Sequence, residues 1–559
     1  MRDPSSVLPS VRNARCLELI ADDPSFTNVG VAYMCLGGFV VAFSMFSLLA
    51  RDKLYINEVV LGTAFGILMG PHFAGVFNPR SWGSHSNAIT LEAMRVILAI
   101  GLFAIGVELP KTYMAKHAKS LLVMIIPTMA IGWFIVAGLI HLLFPQFNFV
   151  SCLAIAACLT PTDPIISAAI NVPMRLRHLL SAESAANDGL AYPFLTIAIY
   201  LTVDATKREA IGHWVLVGCL YQVVLGVFVG VLLGLAFSSL MEFSHRHGLI
   251  DRQSYVTQYL SLAIFVSGIV STLGSDDLLA VFAAGCAISW DGEFTVYTEG
   301  QLFSSVIDFV LNCVGFIYIG AWLPFESFTI PALDITPGRL LLLTMGVLLL
   351  RRIPPMLMLY KWIPEITSWR QALFSGHFGP MGVGAVYTST LAIQKLTTPQ
   401  NPPITQEDML TTALHPIVSF VVLNSIVVHG LSIPLFSAWC NIRTLSLSRT
   451  LSSMTTSDWF YKNTAQNEAN EDQMSFHVTV DFELQSPKES GPKTATAPST
   501  ATPEVDVDFQ EGKNQTELEN VRLATTPTDN QDTETSNIAG PPGTPVPAFQ
   551  VRPLAGHGQ

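Results

Sequence analysis

The stretch Thr160-Pro161-Thr162-Asp163-Pro164, followed by Glu183-Ser184-Ala185-Ala186-Asn187-Asp188-Gly189, decides how this chain folds. Both motifs lie inside apolar runs, Phe149 to Ile170 and Leu179 to Leu201, that are long enough to cross a bilayer. A carboxylate placed in hydrocarbon costs about 2.5–3.5 kcal/mol even on the mildest insertion scale. A chain that keeps several carboxylates there is expected to use them. The two motifs therefore predict an intramembrane site for a cation or a proton.

The composition is that of a polytopic α-helical membrane protein. Of the 559 residues, 50% are hydrophobic and only 13% are charged, and the mean hydropathy is +0.45. A soluble multidomain protein is less apolar than this. The eight cysteines show no paired or metal-ligand spacing, so we expect neither disulfides nor zinc, and no cofactor. We expect the lipid bilayer as the main partner, and the absence of a basic patch argues against nucleic acid.

Apolar runs of membrane-spanning length recur along the chain and predict an all-α fold of about thirteen transmembrane helices. The runs cover residues 28–50, 54–71, 89–107, 119–144, 148–171, 179–203, 213–239, 256–274, 276–290, 300–323, 337–361, 369–394 and 410–437. The neighbouring runs 256–274 and 276–290 fit either two crossings or one long broken crossing. The predicted number of spans is therefore twelve or thirteen.

The charges of the loops orient the predicted spans. With thirteen spans, one set of loops contains thirteen lysines and arginines, and the other contains five plus three arginines near the N-terminus. Cytoplasmic loops carry the excess of positive charge. Residues 1–27 are therefore predicted to be an extracellular N-terminal segment, residues 28–440 the transmembrane domain, and residues 441–559 a cytoplasmic tail.

The C-terminal tail differs in composition from the rest of the chain. From Cys440 onward there are eight basic and sixteen acidic residues, so this segment supplies −8 of the net charge of −12. Serine, threonine, proline, asparagine and acidic residues dominate from about Ser446. Such a segment cannot bury enough apolar surface to offset the entropy of ordering, so we predict a mostly disordered acidic tail. Any partners of the tail are expected to be cytoplasmic regulators.

Two of the predicted spans contain residues that break helices. Pro161 and Pro164 lie in the middle of the fifth span, where each removes a backbone donor and clashes with the preceding turn. The twelfth span contains Gly376, Gly379, Pro380, Gly382 and Gly384. Unwound backbone is tolerated at membrane depth only where protein or a water-filled cavity satisfies it. Two interrupted helices in corresponding places favour an inverted-repeat transporter with two unwound crossing helices and a site near the midplane.

The carboxylates of these segments predict an oxygen-lined site. Asp163 lies between the two prolines, where carbonyls released from the helix are available. On the next helix Ser184 and Asp188 are four residues apart and share one face, with Asn187 beside them. Carboxylate, hydroxyl and carbonyl oxygens suit a hard monovalent cation such as Na+. Because burial disfavours the charged form of a carboxylate, Asp188 is expected to bind either a proton or the ion, which is the simplest antiport mechanism.

The arginine pair Arg351-Arg352 supplies a countercharge at the end of a long apolar run. An inward guanidinium would pair with Glu183 and leave Asp188 free to titrate. Either arginine fits this role, and for the other an inward position and extension to the cytoplasmic headgroups are both open.

Of four further residues, three have two interpretations each. His377, in the interrupted twelfth span, either modulates protonation or is a packing histidine. Asp276 and Asp277 either attract cations at a pore mouth or cap the ninth helix. Asp308 would line the interface between the halves of the protein.

Four motifs together resemble a known family. They are Thr160-Pro161-Thr162-Asp163-Pro164, Glu183-Ser184-x-x-Asn187-Asp188-Gly189, Asp276-Asp277-Leu278-Leu279 and Gly376-His377-Phe378-Gly379-Pro380. The pattern, over about residues 28–440, is similar to that of the fungal plasma-membrane Na+/H+ antiporters of the monovalent cation:proton antiporter-1 family. The resemblance implies a thirteen-helix inverted-repeat antiporter fold, a separate dimerisation domain with a homodimer, and an elevator-like movement. It also implies that Asp188 binds the ion and the proton, with Asp163, Ser184 and Thr162 as further ligands.

The same resemblance implies that Glu183 pairs with an arginine of the eleventh helix. Asn187 would occupy the place held by a second aspartate in the electrogenic bacterial relatives, which argues for electroneutral exchange. Some prokaryotic relatives have an additional glutamate ligand in the third helix, where this chain has Leu102-Phe103-Ala104. The ligand set is therefore expected to be smaller or to be completed by water.

The implied function is exchange of cytoplasmic Na+, and also Li+ or K+, for external protons across the plasma membrane. Such a multi-pass protein would serve cation homeostasis, pH regulation and salt tolerance and would not be an enzyme. A K+/H+ exchanger of the same fold is the nearest alternative. A cation channel would need pore-loop filter segments. An intramembrane aspartyl protease would need Gly-x-Gly-Asp and Tyr-Asp patterns. Neither kind of motif is present in the sequence.

Overall fold

The computed structural model describes residues 24–50, 57–163, 173–204, 206–290, 292 and 303–451. Within these residues the chain is α-helical, with a single isolated β-bridge between Ile330 and Ile335. The helices, in chain order, are α1 (Pro24–Leu48), α2 (Glu58–Met69), α3 (Ser86–Glu108), α4 (Ala118–Leu143), α5 (Phe149–Ala157), α6 (Met174–Val203), α7 (Lys207–Arg246), α8 (Arg252–Thr272), α9 (Asp277–Ile288), α10 (Phe303–Trp322), α11 (Pro337–Leu350), α12 (Ile353–Leu359), α13 (Trp369–His377), α14 (Val383–Lys395) and α15 (Gln406–Leu451).

Each of the thirteen predicted spans overlaps at least one of these helices, which confirms the all-α, multi-pass membrane fold. Among the described residues, six segments are long and apolar enough to cross a bilayer: Gly30–Ser47, Ser86–Glu108, Ala118–Leu143, Lys207–Arg246, Pro337–Trp362 and Gln406–Ser432. Shorter apolar helices accompany them, among them α2 and α9. The ambiguous runs 256–274 and 276–290 form two helices, α8 and α9, because Gly274 turns the chain with a φ of +73° and the helices pack against each other.

Two pairs of helices pack closely through glycine, and we call α2–α10 and α7–α9 the glycine-packed pairs. The glycines that face the partner helix are Gly62 and Gly66 of α2, and Gly226, Gly230 and Gly234 of α7. A Cβ atom on Gly66 would overlap the carbonyl of Ile317, and one on Gly230 would overlap the carbonyl of Ala280. Glycines four residues apart share one helix face and let two backbones approach closely. Helix α3 packs against α9 and α10 and so lies beside both pairs.

Two spans are interrupted at the places that the sequence predicts. Helix α5 ends at Ala157 and the described chain stays non-helical through Asp163, and α13 ends at His377 before α14 begins at Val383. We call residues 158–163 the first break and residues 378–382 the second break. Helices α5 and α14 each pack against α6 and α15, and α4 packs against α5. The two breaks therefore lie within one group of helices.

The loop between α12 and α13 is tied to the start of α4. Glu365 Oε1 lies 2.5 Å from His117 Nδ1, and Glu365 Oε2 accepts a hydrogen bond from the Ser120 hydroxyl. Burial acts against ionisation of Glu365, but the hydrogen bonds from Ser120 and His117 lower the pKa of its carboxyl overall. This contact anchors the segment that precedes the second break.

Parts of several predictions lie outside the described residues. They are residues 1–23 of the predicted N-terminal segment, Pro164 of the first motif, parts of the predicted spans 54–71, 148–171 and 300–323, and the predicted disordered tail from residue 452 onward. Helix α15 continues to Leu451, past the predicted tail boundary at residue 440.

Candidate ion-binding site

The two breaks are joined by hydrogen bonds at Asp163. The backbone N–H of Asp163 donates to the carbonyl of Pro380 at 2.9 Å, and its carboxylate Oδ2 accepts from the backbone N–H of Val383 at 2.9 Å. A Cβ atom on Gly382 would overlap the same carboxylate oxygen, so only glycine fits this approach. The Asp163 carboxylate thus lies at the N-terminus of α14, where a negative charge is favoured. The predicted ion ligand therefore also binds one interrupted helix to the other.

Arg351 satisfies carbonyls that the two breaks release. Its guanidinium donates to the carbonyl of Leu159, to that of Pro161 at 3.5 Å, and to that of Gly379 at 2.5 Å. The residue is buried, so it does not extend to the headgroups, which was one of the two roles considered for the second arginine. A cation at this place balances the negative ends of the peptide dipoles of α5 and α13.

Arg352 is the arginine that pairs with Glu183. Its Nη1 and Nη2 lie 2.6 and 2.7 Å from the two Glu183 carboxylate oxygens, and its Nε donates to the carbonyl of Ser375 at 2.9 Å. The two side chains are 7% and 2% exposed. Asn187 Nδ2 donates to Glu183 Oε1 at 2.5 Å. Glu183 is thus fully engaged by α6 and the start of α12, and it is not free to act as an ion ligand.

The predicted ligands Thr162, Ser184 and Asn187 lie side by side. The Ser184 hydroxyl donates to the carbonyl of Thr162, and its Oγ lies 3.2 Å from Thr162 Oγ1. Asn187 Nδ2 reaches Thr162 Oγ1 at 3.3 Å, whereas the buried Asn187 Oδ1 has no hydrogen-bond partner. The first break and the middle of α6 therefore present several oxygens to one small region.

Asp188 has an unsatisfied carboxylate oxygen at the centre of this region. The residue is 5% exposed, and its buried Oδ1 has no hydrogen-bond partner. The first turn of α14 comes close to it, because a Cβ atom on Gly384 would lie 2.8 Å from this oxygen and 2.9 Å from Pro161 Cβ. Asp163 and Glu183 are near enough to interact with Asp188 electrostatically. An unsatisfied buried carboxylate oxygen is costly and marks a place for a proton or a cation.

A cavity of about 160 Å³ leads to Asp188, and we call it the access cavity. Its lining includes the exposed residues Ser271, Gly274 and Lys395 as well as the buried Asp188, so it runs from the surface to the carboxylate. A smaller cavity of about 20 Å³ is lined by Thr162, Glu183, Asn187, Arg351 and Arg352, among others. Asp188 therefore lies at the inner end of the larger cavity.

Asp276 and Asp277 line the access cavity, and Asp276 also caps a helix. Asp276 Oδ1 accepts a hydrogen bond from the N–H of Leu279 at 3.1 Å, at the N-terminus of α9. Asp277 Oδ2 accepts from the Ser267 hydroxyl at 2.7 Å and lies 3.4 Å from Arg95 Nη1. The cap interpretation therefore holds for Asp276, and both aspartates lie in the cavity wall, whereas the attraction of cations stays a prediction.

Arg95 is a site residue that the sequence analysis missed. It lies on α3, donates to the Ser271 hydroxyl at 2.6 Å, pairs with Asp277, and stacks over the Tyr387 ring at 5.9 Å. The sequence could have indicated this residue, since it is an arginine inside the predicted span 89–107. Charged residues within transmembrane segments are rare and usually functional.

His377 and Asp308 are not joined to the carboxylate cluster by any contact in the described part of the chain. The His377 ring packs against the rings of Phe378 and His429, at 4.8 and 5.2 Å between centroids. Asp308, on α10, is half-buried and interacts electrostatically with Glu108 at the end of α3. These contacts favour the packing role for His377, and they place Asp308 at the contact of α10 with α3.

A family model described as "Sodium/hydrogen exchanger, transmembrane" matches residues 39–439, which include both breaks and every residue of the site. The chain belongs to the sodium/hydrogen exchanger family. This result confirms the resemblance that the four sequence motifs predict.

Fungal members of the exchanger family are similar over most of this chain. A probable Na+/H+ antiporter of Schizosaccharomyces pombe is 42% identical over 438 residues, which are 75% of this chain and 57% of the relative. The Na+/H+ antiporter of Saccharomyces cerevisiae is 39% identical over 445 residues, 76% of this chain and 45% of the relative. Another S. pombe Na+/H+ antiporter is 37% identical and is covered over 93% of its length. The chain spans about half the length of the first two relatives.

Solved structures of the sodium proton antiporter MjNhaP1 of Methanocaldococcus jannaschii share the fold. Two of them align with TM-scores of 0.53 and 0.54 at 18% identity, and cover 71% and 75% of this chain and 98% of their own. At this identity the likeness establishes the fold of this exchanger-family chain and not its substrate.

Proposed function

We propose that this protein exchanges Na+ for protons across the membrane, and that Asp188 binds the two in turn. One observation supports this most directly: a buried Asp188 oxygen without a hydrogen-bond partner lies where the access cavity meets the two breaks. A proton or a cation would each satisfy that oxygen, but the carboxylate cannot hold both charges at once. Binding of one therefore releases the other.

The neighbouring oxygens suit a small hard cation. In the present arrangement the Ser184 hydroxyl bonds to the Thr162 carbonyl. A cation at Asp188 would draw the oxygens of Ser184 and Thr162 away from each other and toward itself. Asp163 contributes negative charge, and water from the access cavity completes the oxygen shell. Na+ is thus the transported substrate, and the exchange requires no cofactor.

The cavities suggest how Asp188 is exposed alternately to the two sides. If α15 ends in the cytoplasm, as the loop charges predict, then α14 ends outside and the access cavity opens to the exterior. The smaller cavity is lined by Glu183 and Asn187, which precede Asp188 on α6, so it lies toward the cytoplasm. A movement of the interrupted helices relative to the glycine-packed pairs would close the first cavity and enlarge the second.

Exchange of one Na+ for one proton is favoured by the residue beside Asp188. Asn187 is uncharged, and both hydrogen-bond contacts of its Nδ2 go to neighbouring side chains. If one carboxylate titrates, one Na+ moves against one proton, so no net charge crosses the membrane and the membrane potential does not drive the exchange. Each pH unit, about 1.4 kcal/mol, then supports about a tenfold cation gradient. Exchange is then electroneutral.

The similar proteins support transport as the function, and by analogy they bear on the location of the protein in the cell. Those quoted above are named as Na+/H+ antiporters, which are transporters rather than enzymes, and this supports transport over the intramembrane protease hypothesis. By analogy we place the protein in the plasma membrane as a homodimer, with its tail in the cytoplasm and open to regulators. Li+ and K+ are further candidate substrates.

The test is cation-dependent proton flux in proteoliposomes that contain the purified full chain and a pH-sensitive dye. We expect addition of Na+ to collapse an imposed pH gradient, and the Asp188→Asn variant to lose this response completely. Asp251→Asn is the matched control, because Asp251 is an exposed N-cap of α8 whose role asparagine can fill.

Three outcomes would contradict the proposal. Exchange by Asp188→Asn would show that another carboxylate is the site. A non-saturating, potential-driven Na+ current would indicate a channel. A rate that depends on an imposed membrane potential would contradict electroneutral exchange. Parallel assays with Li+ and K+ identify the preferred cation.

A further inference from the structure

We propose that Asp276 forms a second, weaker site for a monovalent cation in the access cavity, which Na+ occupies as it passes between Asp188 and the exterior. The inference rests on the proposed function and adds a step to it. The observation behind it is a parallel between two residues: Asp276 and Asp188 line the same cavity, and each has one buried carboxylate oxygen without a hydrogen-bond partner.

In contrast, the carboxylate of the neighbouring Asp277 has hydrogen-bond and charge partners within the protein. Its Oδ2 receives the Ser267 hydroxyl at 2.7 Å and faces the Arg95 guanidinium at 3.4 Å, so its charge is balanced within the protein. Arg95 has a further carboxylate partner in Glu92, at 3.3 Å. The direct contacts of the arginine are therefore with Asp277 and Glu92, and it acts on the adjacent Asp276 only through longer-range electrostatics.

Only one of the two carboxylate oxygens of Asp276 has a hydrogen-bond partner. Its Oδ1 caps α9 through the N–H of Leu279 at 3.1 Å, whereas its Oδ2 accepts nothing, although the residue is only 6% exposed. A buried acceptor that lacks a partner costs free energy, and a charged one costs more. A cation drawn into the cavity would satisfy this oxygen.

The rest of the cavity wall offers oxygens and, besides Arg95, one further positive charge. The carbonyl of Gly274 lies in the same turn, where it already accepts from Gln222 Nε2 at 2.6 Å. Tyr192 and Thr388, which both carry hydroxyl groups, also belong to the lining. The further positive charge is Lys395, whose Nζ lies 5.5 Å from the Tyr192 ring centroid and whose residue is exposed. Hydrated cations would therefore pass Lys395 before they reach the two aspartates.

The position of Asp276 makes the site weak, as a transient site must be. The carboxylate lies at the N-terminus of α9, where the positive end of the helix dipole opposes a bound cation. Conduction and transport both require intermediate sites that attract an ion but release it readily. Asp188 lies farther from the surface, next to the breaks, and would hold the ion more tightly.

The test separates the charge of Asp276 from its role as a cap. Asparagine and serine are both good N-cap residues, so Asp276→Asn and Asp276→Ser remove the charge and keep the hydrogen bond to Leu279. In proteoliposomes we expect either variant to raise the Na+ concentration for half-maximal exchange by about tenfold, with the maximal rate kept within about twofold. Na+ is supplied on the side to which the access cavity opens.

A binding measurement gives an independent readout. Purified full-length Asp188→Asn protein is expected to retain weak, saturable binding of radioactive Na+, and the double variant with Asp276→Asn is expected to lose it. An unchanged half-saturation concentration in both Asp276 variants, or equal binding by the single and double variants, would overturn the second site. A wild-type protein without exchange would instead overturn the proposed function.

Discussion

Glycine allows two kinds of close approach in two regions of this molecule. In the glycine-packed pairs α2–α10 and α7–α9, it lets intact helices approach until the backbones touch. At the second break and in the first turn of α14, Gly382 and Gly384 instead let a backbone approach carboxylates, those of Asp163 and Asp188. The first region is suited to remain rigid, and the second is suited to bind an ion and to move. Glycine therefore occurs in both the rigid part and the ion-binding part of the fold, and the groups that it contacts differ between them.

The largest effect is expected from the ion pair that supports the second region. Arg352→Gln leaves Glu183 buried without its partner, which destabilises a protein by about 3–5 kcal/mol. We expect a markedly lower thermal unfolding midpoint in detergent, partly restored when Glu183→Gln is added. Arg339→Gln is the control, since that arginine is 41% exposed, lies 3.6 Å from Asp334, and contributes about 0–1 kcal/mol. Equal effects of the two arginine substitutions would contradict the buried pair.

An intermediate effect is expected in the glycine-packed pair α7–α9. In Gly230→Ala the new Cβ overlaps the carbonyl of Ala280, so the two helices must separate, at a cost of about 1–3 kcal/mol. Gly212→Ala, on the same helix, has nothing within 4 Å of the new Cβ and should be neutral. Thermal unfolding of the two variants tests this prediction. It fails if Gly230→Ala is as stable as Gly212→Ala.

A smaller loss of stability, together with a loss of exchange, is expected in the first turn of α14, next to the second break. In Gly384→Ala the new Cβ lies 2.8 Å from Asp188 Oδ1, where it competes with the ion. We expect the exchange rate to fall by at least about tenfold, equivalent to about 1.4 kcal/mol, with a smaller loss of stability than in Gly230→Ala. Gly138→Ala, which is in open space, is the control. A normal rate in Gly384→Ala would remove the distinction between the two regions.

Much of the second region could be predicted because prolines and glycines act locally. Pro161 and the cluster around Pro380 interrupt their helices whatever surrounds them, and the four-residue spacing of Ser184 and Asp188 fixes their common face. The sequence could not decide between Arg351 and Arg352. The chain changes direction between α11 and α12 at this pair, and tertiary packing determines which guanidinium meets Glu183.

Other features depend on contacts between distant segments. The bond from Val383 to Asp163 joins residues 220 positions apart, and no local pattern indicates it. The same holds for Arg95 and Asp277, which are 182 positions apart. The unsatisfied oxygen of Asp276 is likewise visible only once its neighbours are placed. Sequence therefore predicts where the helices break more readily than which groups meet there.

The most direct test of the central claim is proton release on Na+ binding. Purified protein in weakly buffered detergent solution is mixed with NaCl at neutral pH, with choline chloride as the control, and a pH dye reports the protons released. If Na+ and the proton compete for Asp188, the wild-type protein releases up to about one proton per Na+ bound, and Asp188→Asn releases none. Saturable Na+ binding by the wild-type protein without proton release, or equal release by Asp188→Asn, would contradict the claim.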